Sequence, residues 1–150
     1  NDGDNILDTG GGILNMVKFS DEENFIIFNP DTLWNLNYKD EIIDMENFYF
    51  NKNLNNILLV VKKEYSFDQS FIGDFNLSKN KLIKEKKNHF IYTGVQIINK
   101  KLFKDQQVKN FSISKIWNNL SKLNQLNGFD SKNKFYHLTD LKIYNKLSKY

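Results

Sequence analysis

The sequence predicts an α/β fold organised around a parallel βαβ unit. Residues 25–28 (Phe-Ile-Ile-Phe) and 57–61 (Ile-Leu-Leu-Val-Val) are continuous apolar runs, which is the pattern of strands buried on both faces of a sheet. Between them, apolar residues recur at helical spacing over residues 38–50, and this spacing predicts a crossover helix. Two strands joined by such a helix run in the same direction.

Length and composition limit what the chain can be. A chain of 150 residues, 40% of them hydrophobic, can bury one substantial core but is short for two independent domains. No apolar run approaches the roughly 18 residues of a membrane span, and residues 1–4 lack the pattern of a signal peptide, so we expect a cytoplasmic protein without a membrane partner. Cysteine is absent, which excludes a disulfide framework, a thiolate metal site and a cysteine nucleophile.

The net charge of +3 raises the possibility of a nucleic-acid partner, but the kind of basic residue argues against it. All 21 basic residues are lysines, and there is no arginine to read guanine edges or grip phosphates with two parallel hydrogen bonds. We therefore interpret the lysine clusters as solvated surface and expect no nucleic-acid partner. The sequence leaves the oligomeric state open.

The middle of the chain predicts a hairpin and a long strand. Residues 71–82 contain turn formers between short alternating runs, which favours a β-hairpin. Residues 90–98 form a third long strand that is interrupted by Gly94. A glycine within a strand either marks a bulge or makes room for a ligand, and the sequence leaves both alternatives open.

The last third predicts two helices and a short strand. Ser112 is a candidate cap for a helix with one apolar face, and residues 135–138 are expected to form a brief strand. A final helix is expected to begin at Thr139 or Asp140. Its predicted apolar stripe consists of Leu141, Tyr144 and Leu147.

Two motifs carry possible chemistry. Three consecutive glycines, Gly10 to Gly12, are expected to form a loop that enters a short helix, where the backbone could approach a ligand closely and direct N–H groups at it. A turn without a ligand is the alternative. Asp31 follows an apolar strand and Pro30, a position that suits a magnesium ligand, although an aspartate that caps the following turn is also consistent.

The chain has two histidines, His89 and His137, and both lie at the margins of predicted strands. Their spacing does not correspond to a zinc site. Each is interpreted as a structural histidine, with a role as a ligand left open.

The order of the motifs resembles that of the sugar-1-phosphate nucleotidyltransferases, and the resemblance extends over essentially the whole chain. Four runs carry it: residues 7–13 (Leu-Asp-Thr-Gly-Gly-Gly-Ile), residues 28–31 (Phe-Asn-Pro-Asp), residues 73–75 (Gly-Asp-Phe) and residues 92–96 (Tyr-Thr-Gly-Val-Gln). The resemblance implies a Rossmann-like fold with a mixed, mainly parallel sheet. It also implies that residues 1–150 form the C-terminal two-thirds of a single domain that is truncated at its N-terminus.

The resemblance implies that a sugar 1-phosphate attacks a nucleoside triphosphate in the presence of Mg²⁺, giving a nucleotide-sugar and pyrophosphate. The best match in substrates is UTP with N-acetylmuramate 1-phosphate, and transfer of a guanylyl group to mannose 1-phosphate is the alternative. Asp31 is implied as the catalytic residue and magnesium ligand. The remaining implied site residues are Thr9, Gly10, Gly11 and Gly12 for the nucleotide and Gly73, Asp74, Thr93 and Gly94 for the sugar.

The sequence departs from the family in three places. Pro30 stands where the family has a glycine before the metal-binding aspartate. His137 occupies the place of a second metal-binding aspartate, with Asp140 one turn further on, so either could assist the cation. An arginine-containing glycine loop and a Pro-Lys pair are missing, so we expect this chain alone to be inactive. A non-catalytic binding fragment, or a subunit completed by a partner chain, is the alternative of another class.

Overall fold

A computed structural model describes residues 6–149 and shows a four-stranded sheet with helices on both faces. The four helices are α1 (Asp8–Val17), α2 (Asn37–Asn51), α3 (Ser114–Lys122) and α4 (Leu141–Leu147). The strands are β1 (Asn24–Phe28), β2 (Asn56–Lys62), β3 (Asn76–Ser78), β4 (Lys81–Ile83), β5 (Phe90–Asn99) and β6 (Gly128–Ser131). Short 3₁₀ turns follow β2 and β5.

The main sheet is mixed, with the order β1-β5-β2-β6, and β3 and β4 form a separate hairpin. β2 pairs in parallel with β6, whereas β5 runs antiparallel to both of its neighbours, β1 and β2. Three of the four strands therefore share one direction, and the sheet is mixed as predicted, with one parallel pair, β2 and β6, among its three strand pairs. β1 and β2 are parallel to each other as predicted, but they are separated by β5.

The core lies on both faces of this sheet because successive side chains of β2 point to opposite sides. Ile57 and Leu59 pack under α2, and Leu58 and Val60 face the other side, where they contact residues of α3 and the hairpin. All four are fully buried, as the continuous apolar run predicts. The helix α1 joins α3 on the side opposite α2, where its apolar residues pack on β1 and β5.

A bulge in β5 places the candidate site. The register of β2 against β5 shifts between Leu58 and Val60, where three residues of β5, 93–95, stand opposite the single residue Leu59. Gly94 lies in this bulge with a φ of 98°, a conformation that side-chain-bearing residues rarely adopt. Of the two alternatives for this glycine, the bulge is the one that the structure shows.

Several predicted elements differ from the structure. The three glycines lie within α1, so the predicted loop is wrong. β1 is buried on one face only, because Ile26 and Phe28 remain 44% and 46% exposed on the other. The sequence patterns also gave no indication of β6, whose four residues include a glycine and an aspartate.

The C-terminal segment differs as well. Residues 135–138 do not form a strand but make isolated bridges, Phe135 with Ser66 and His137 with Thr32. In α4 the buried residue is Ile143, whereas Leu141 and Tyr144 of the predicted stripe are mostly exposed. The helix begins as predicted, because the Asp140 side chain accepts a hydrogen bond from the N–H of Ile143 at 2.8 Å. In residues 6–149 we find no helix of the length and apolarity that a membrane crossing requires.

Candidate functional site

A cavity of about 410 Å³ opens between α1, the end of β1, β5 and the start of α3. Its polar lining includes Asn29 and Gln96, and its apolar lining includes Ile27 and Ile113. Tyr92 and Trp117 also line it, with their rings packed edge to face at a centroid distance of 4.7 Å. A cavity of this size, mostly apolar with a few polar groups, has the general character of a small-molecule site.

The glycine run contributes to the cavity through one glycine only. The N–H groups of Gly10 and Gly11 both donate to the carbonyl oxygen of Phe111, at 2.9 and 3.1 Å, so they are not directed at a ligand. Gly12 faces the cavity together with Thr9, and a Cβ at Gly12 would meet no atom within 4 Å. Gly10 and Gly11 are instead glycines because α1 lies directly against the segment 109–111.

The turn that carries Asp31 is held against the bulge in β5. Asn29 donates its backbone N–H to the carbonyl of Gly94 at 2.8 Å, and the Thr32 hydroxyl donates to the carbonyl of Thr93 at 2.7 Å. A Cβ at Gly94 would lie 3.0 Å from Asn29 and from Thr32, so a larger residue would push the turn away. The hydroxyl of Thr93 is buried and donates to the carbonyl of Leu59 at 2.9 Å.

Asp31 lies beside His137, with 3.3 Å between the carboxylate Oδ2 and the ring Nε2. Two backbone hydrogen bonds bring them together: Leu138 donates to the carbonyl of Asp31, and Leu33 donates to that of Tyr136, both at 2.8 Å. The other carboxylate oxygen, Oδ1, is shielded from solvent and has no hydrogen-bond partner. A carboxylate oxygen without a protein partner is the kind of ligand that hard cations prefer, so the residues present fit a cation at Asp31.

The site offers few further ligands. Within residues 6–149, no group of three or more His, Cys, Asp or Glu side chains is placed to hold a metal ion. The carboxylate of Asp140, the other candidate, already caps α4. A cation at Asp31 would therefore take His137 as its second protein ligand and complete its coordination with substrate or water oxygens.

Tyr92 connects the cavity with Asp31. Burial raises the pKa of the Tyr92 phenol well above its ordinary value, and the negative charge of Asp31 raises it further. The phenol is therefore neutral throughout the physiological pH range. Beside it, the indole N–H of Trp117 donates to Oε1 of Gln96 at 3.2 Å, which fixes the amide at the cavity wall.

Gly73 and Asp74 lie shortly before β3, beside the start of β5, and not in the lining of the cavity. Gly73 has a φ of 88°, and a Cβ there would lie 2.5 Å from the carbonyl oxygen of Asn88. Asp74 is exposed, and its Oδ2 accepts the backbone N–H of Tyr92 at 2.9 Å. These residues therefore position Tyr92, and their predicted contact with a sugar stays a prediction.

Sequence reasoning missed four residues of this region: Asp68, Tyr92, Gln96 and Trp117. Tyr92 and Gln96 flank a glycine in a strand, which is a signal that the bulge turns nearby side chains towards a site. Trp117 falls within the predicted helix with one apolar face, and Asp68 lies in a loop without a recognisable pattern. Only the fold brings Tyr92, Gln96 and Trp117 to the cavity and connects Asp68 through Thr139 to His137.

No family model and no curated protein sequence matches the chain. Solved structures do match it over nearly its whole length. HddC from Yersinia pseudotuberculosis, complexed with GMP-PN, is 23% identical with a TM-score of 0.69, over 97% of this chain and 63% of that protein. The inositol-1-phosphate CTP transferase from T. maritima is 14% identical with a TM-score of 0.69, over 95% and 62%. UDP-glucose pyrophosphorylase complexed with UDP-glucose is 14% identical with a TM-score of 0.71, over 97% and 62%.

The chain therefore has a Rossmann-like α/β fold. Its fold is that of the three solved structures named above, and the sequence predicted this fold class. At these identities the similarity establishes the fold alone. The chain spans less than two-thirds of the length of these proteins.

Proposed function

We propose that this chain forms the C-terminal two-thirds of a sugar-1-phosphate nucleotidyltransferase domain, which joins a nucleoside triphosphate to a sugar 1-phosphate and releases pyrophosphate. One observation carries the proposal. Asp31, with an unpaired and shielded carboxylate oxygen, follows β1 two residues after Asn29, which lines the cavity together with Thr9 and Gly12, and its charge acts on Tyr92 of the same lining. Substrate positioning and charge neutralisation are the main requirements of such a reaction.

The cavity suits the nucleoside part of the substrate. Gly12 lets a ligand approach α1 without meeting a side chain, and the neighbouring Thr9 lines the same wall. Tyr92 and Trp117 supply aromatic surface, and Gln96 supplies an amide that can discriminate polar edges of a base. Gly10 and Gly11 act indirectly in this proposal, by allowing α1 to lie against the segment 109–111.

Asp31 is the proposed ligand of Mg²⁺, with His137 favoured over Asp140 as a second ligand because Asp140 is engaged at the start of α4. When bound there, the cation would neutralise charge on the phosphate oxygens. Thr93 and Gly94 hold the turn that presents the Asp31 carboxylate. Gly73 and the exposed Asp74 remain the candidates for contact with the sugar.

UTP and N-acetylmuramate 1-phosphate are the substrates that we propose first, from the resemblance of the sequence motifs. A guanine nucleotide with mannose 1-phosphate is the second candidate, and the HddC structure, which is complexed with GMP-PN, favours it. A binding fragment or a subunit that requires a partner chain is the alternative of another class, and it predicts nucleotide binding without turnover.

Nucleotide binding can be measured directly because Trp117 lines the cavity and the chain has only one other tryptophan, Trp34. In a Trp34→Phe background, we expect UTP or GTP with Mg²⁺ to change the fluorescence of Trp117, and the ranking of four nucleoside triphosphates identifies the base. No change with any nucleotide would refute the proposed site.

Turnover is tested by pyrophosphate release, with the chain alone and with any longer natural polypeptide that contains it. We expect no release from the chain alone. In the active form, Asp31→Ala should reduce turnover at least about 100-fold. Asp44→Ala, which removes an exposed carboxylate from α2, is the matched control. Equal activity of the two variants would remove Asp31 from the site.

A further inference from the structure

A buried carboxylate lies behind the Asp31 and His137 pair and is connected to it. Asp68 is 7% exposed, and its Oδ1 accepts two hydrogen bonds from Ser70, from the backbone N–H at 2.9 Å and from the hydroxyl at 2.6 Å. Its Oδ2 accepts the hydroxyl of Thr139 at 2.9 Å. The Ser70 hydroxyl in particular lowers the pKa of Asp68, so this carboxylate is ionised and can only accept hydrogen bonds.

The ionised state of Asp68 determines how Thr139 can act on His137. A hydroxyl has one hydrogen, and Thr139 donates it to Asp68. The contact between the Thr139 oxygen and Nδ1 of His137, at 3.3 Å, is therefore favourable only when Nδ1 carries the hydrogen. The ring is further held by the edges and faces of Phe71 and Phe135, at centroid distances of 5.6 and 5.8 Å.

With Nδ1 protonated, the Nε2 atom of a neutral His137 presents its lone pair to Asp31. The distance between Nε2 and Oδ2 of Asp31 is 3.3 Å, so two electron-pair donors face the same small space. A cation that bridges them satisfies both. Histidine ligands of metals characteristically donate their other ring N–H to a supporting group, which is the part that Thr139 and Asp68 take here.

We propose that Asp68 and Thr139 are positioning residues, which direct Nε2 of His137 towards Asp31 and so create a mixed nitrogen and oxygen pair that prefers a transition-metal ion such as Mn²⁺ to Mg²⁺. The inference rests on the proposed function, which places a cation at Asp31. Imidazole favours transition metals, whereas Mg²⁺ favours oxygen ligands alone.

The test is an electron paramagnetic resonance titration of the chain with Mn²⁺ alone, followed by competition with Mg²⁺. Both measurements are done near pH 8. We expect His137→Ala to remove the preference for Mn²⁺ over Mg²⁺. Thr139→Val should weaken Mn²⁺ binding about 10- to 100-fold, although Thr139 does not touch the metal. Thr139→Ser keeps the hydroxyl and should bind Mn²⁺ as the natural chain does.

Asp68→Asn gives a sharper result because it reverses the hydrogen-bond direction. The amide oxygen takes the two bonds from Ser70, so the amide N–H₂ faces Thr139. Thr139 then donates to Nδ1 of His137, which moves the ring hydrogen to Nε2 and blocks metal binding there. We expect a loss of Mn²⁺ affinity as large as that of Thr139→Val, with an unchanged circular dichroism spectrum.

Two outcomes overturn the inference: Mn²⁺ affinity that is the same in Thr139→Val and Thr139→Ser, or a preference for Mg²⁺ in the natural chain. Failure of the proposed function would give a different set of results from failure of this inference. If no nucleotide changes the fluorescence of Trp117 but the Mn²⁺ results are as expected, Asp31 and His137 are metal ligands and the proposed nucleotidyl transfer is wrong.

Discussion

The glycine run in α1 gives the sharpest prediction, because the same substitution to alanine should raise the stability of the chain at Gly12 and lower it at Gly10 and Gly11. A Cβ at Gly11 would lie 2.1 Å from the backbone carbonyl oxygen of Lys109, and a Cβ at Gly12 would meet nothing within 4 Å. In a helix, alanine is more favourable than glycine by about 1 kcal/mol. Gly12→Ala should therefore stabilise the chain by about 0.5–1 kcal/mol.

Gly11→Ala should destabilise the chain despite the same gain in helix propensity. Relief of the 2.1 Å contact requires α1 to move by about 1 Å from the segment 109–111. Such overpacking costs about 1–3 kcal/mol, and the two hydrogen bonds to Phe111 are weakened at about 0.5–1.5 kcal/mol each. After the propensity gain of about 1 kcal/mol is subtracted, the net loss is about 1–5 kcal/mol. For a chain of this length, a loss in the middle of that range lowers Tm by on the order of 6–12 °C.

Thermal unfolding followed by circular dichroism measures both variants against the natural chain. Gly10→Ala is a second test on the buried side, because its Cβ would lie 2.4 Å from the ring of Phe111. Its loss should be smaller than that of Gly11→Ala, since the ring can shift and the nearest backbone atom, the carbonyl oxygen of Phe111, would lie 2.8 Å from the Cβ instead of 2.1 Å. Equal Tm values for Gly11→Ala and Gly12→Ala would show that α1 does not pack in this way.

Three further predictions concern stability and association. Burial raises the pKa of Tyr49 from 10 to about 12, so the folded state binds the phenolic proton more tightly than the unfolded state does. The resulting contribution to the free energy of unfolding, up to about 2–3 kcal/mol, is complete below pH 10 and is lost as the pH rises from 10 to 12. When alkaline unfolding is measured, the loss of stability between pH 10 and pH 12 should be smaller in Tyr49→Phe than in the natural chain. Glu41→Ala should cost about 2–4 kcal/mol in urea unfolding, because its carboxylate accepts hydrogen bonds from the hydroxyl of Ser131, which ends β6, and from the backbone N–H of Lys132, which follows it. The control Glu46→Ala, which removes an exposed carboxylate of α2, should cost less than about 0.5 kcal/mol. In residues 6–149, β1 is an edge strand with Ile26 and Phe28 exposed, so we expect the chain to self-associate in analytical ultracentrifugation and the replacement of both residues with lysine to reduce that association; unchanged association would place the contact elsewhere.

The sequence by itself determined the elements that leave a local pattern of apolar residues. The strands β1, β2 and β5 and the helices α2 and α3 were predicted near their observed positions, because the strands are continuous apolar runs and the helices carry apolar residues at helical spacing. The position of Asp31 after an apolar strand was visible in the same way.

Tertiary structure alone decided which of these elements meet. β5 lies between β1 and β2 although it follows both in the chain, and no local pattern records the choice of strand partner. The same holds for the site: His137 reaches Asp31, and Asp68 reaches Thr139 71 positions away, through pairings between loops that have no periodic pattern. Gly10 and Gly11 are glycines because another segment lies against them, and a sequence shows the missing side chain but not the neighbour that excludes it.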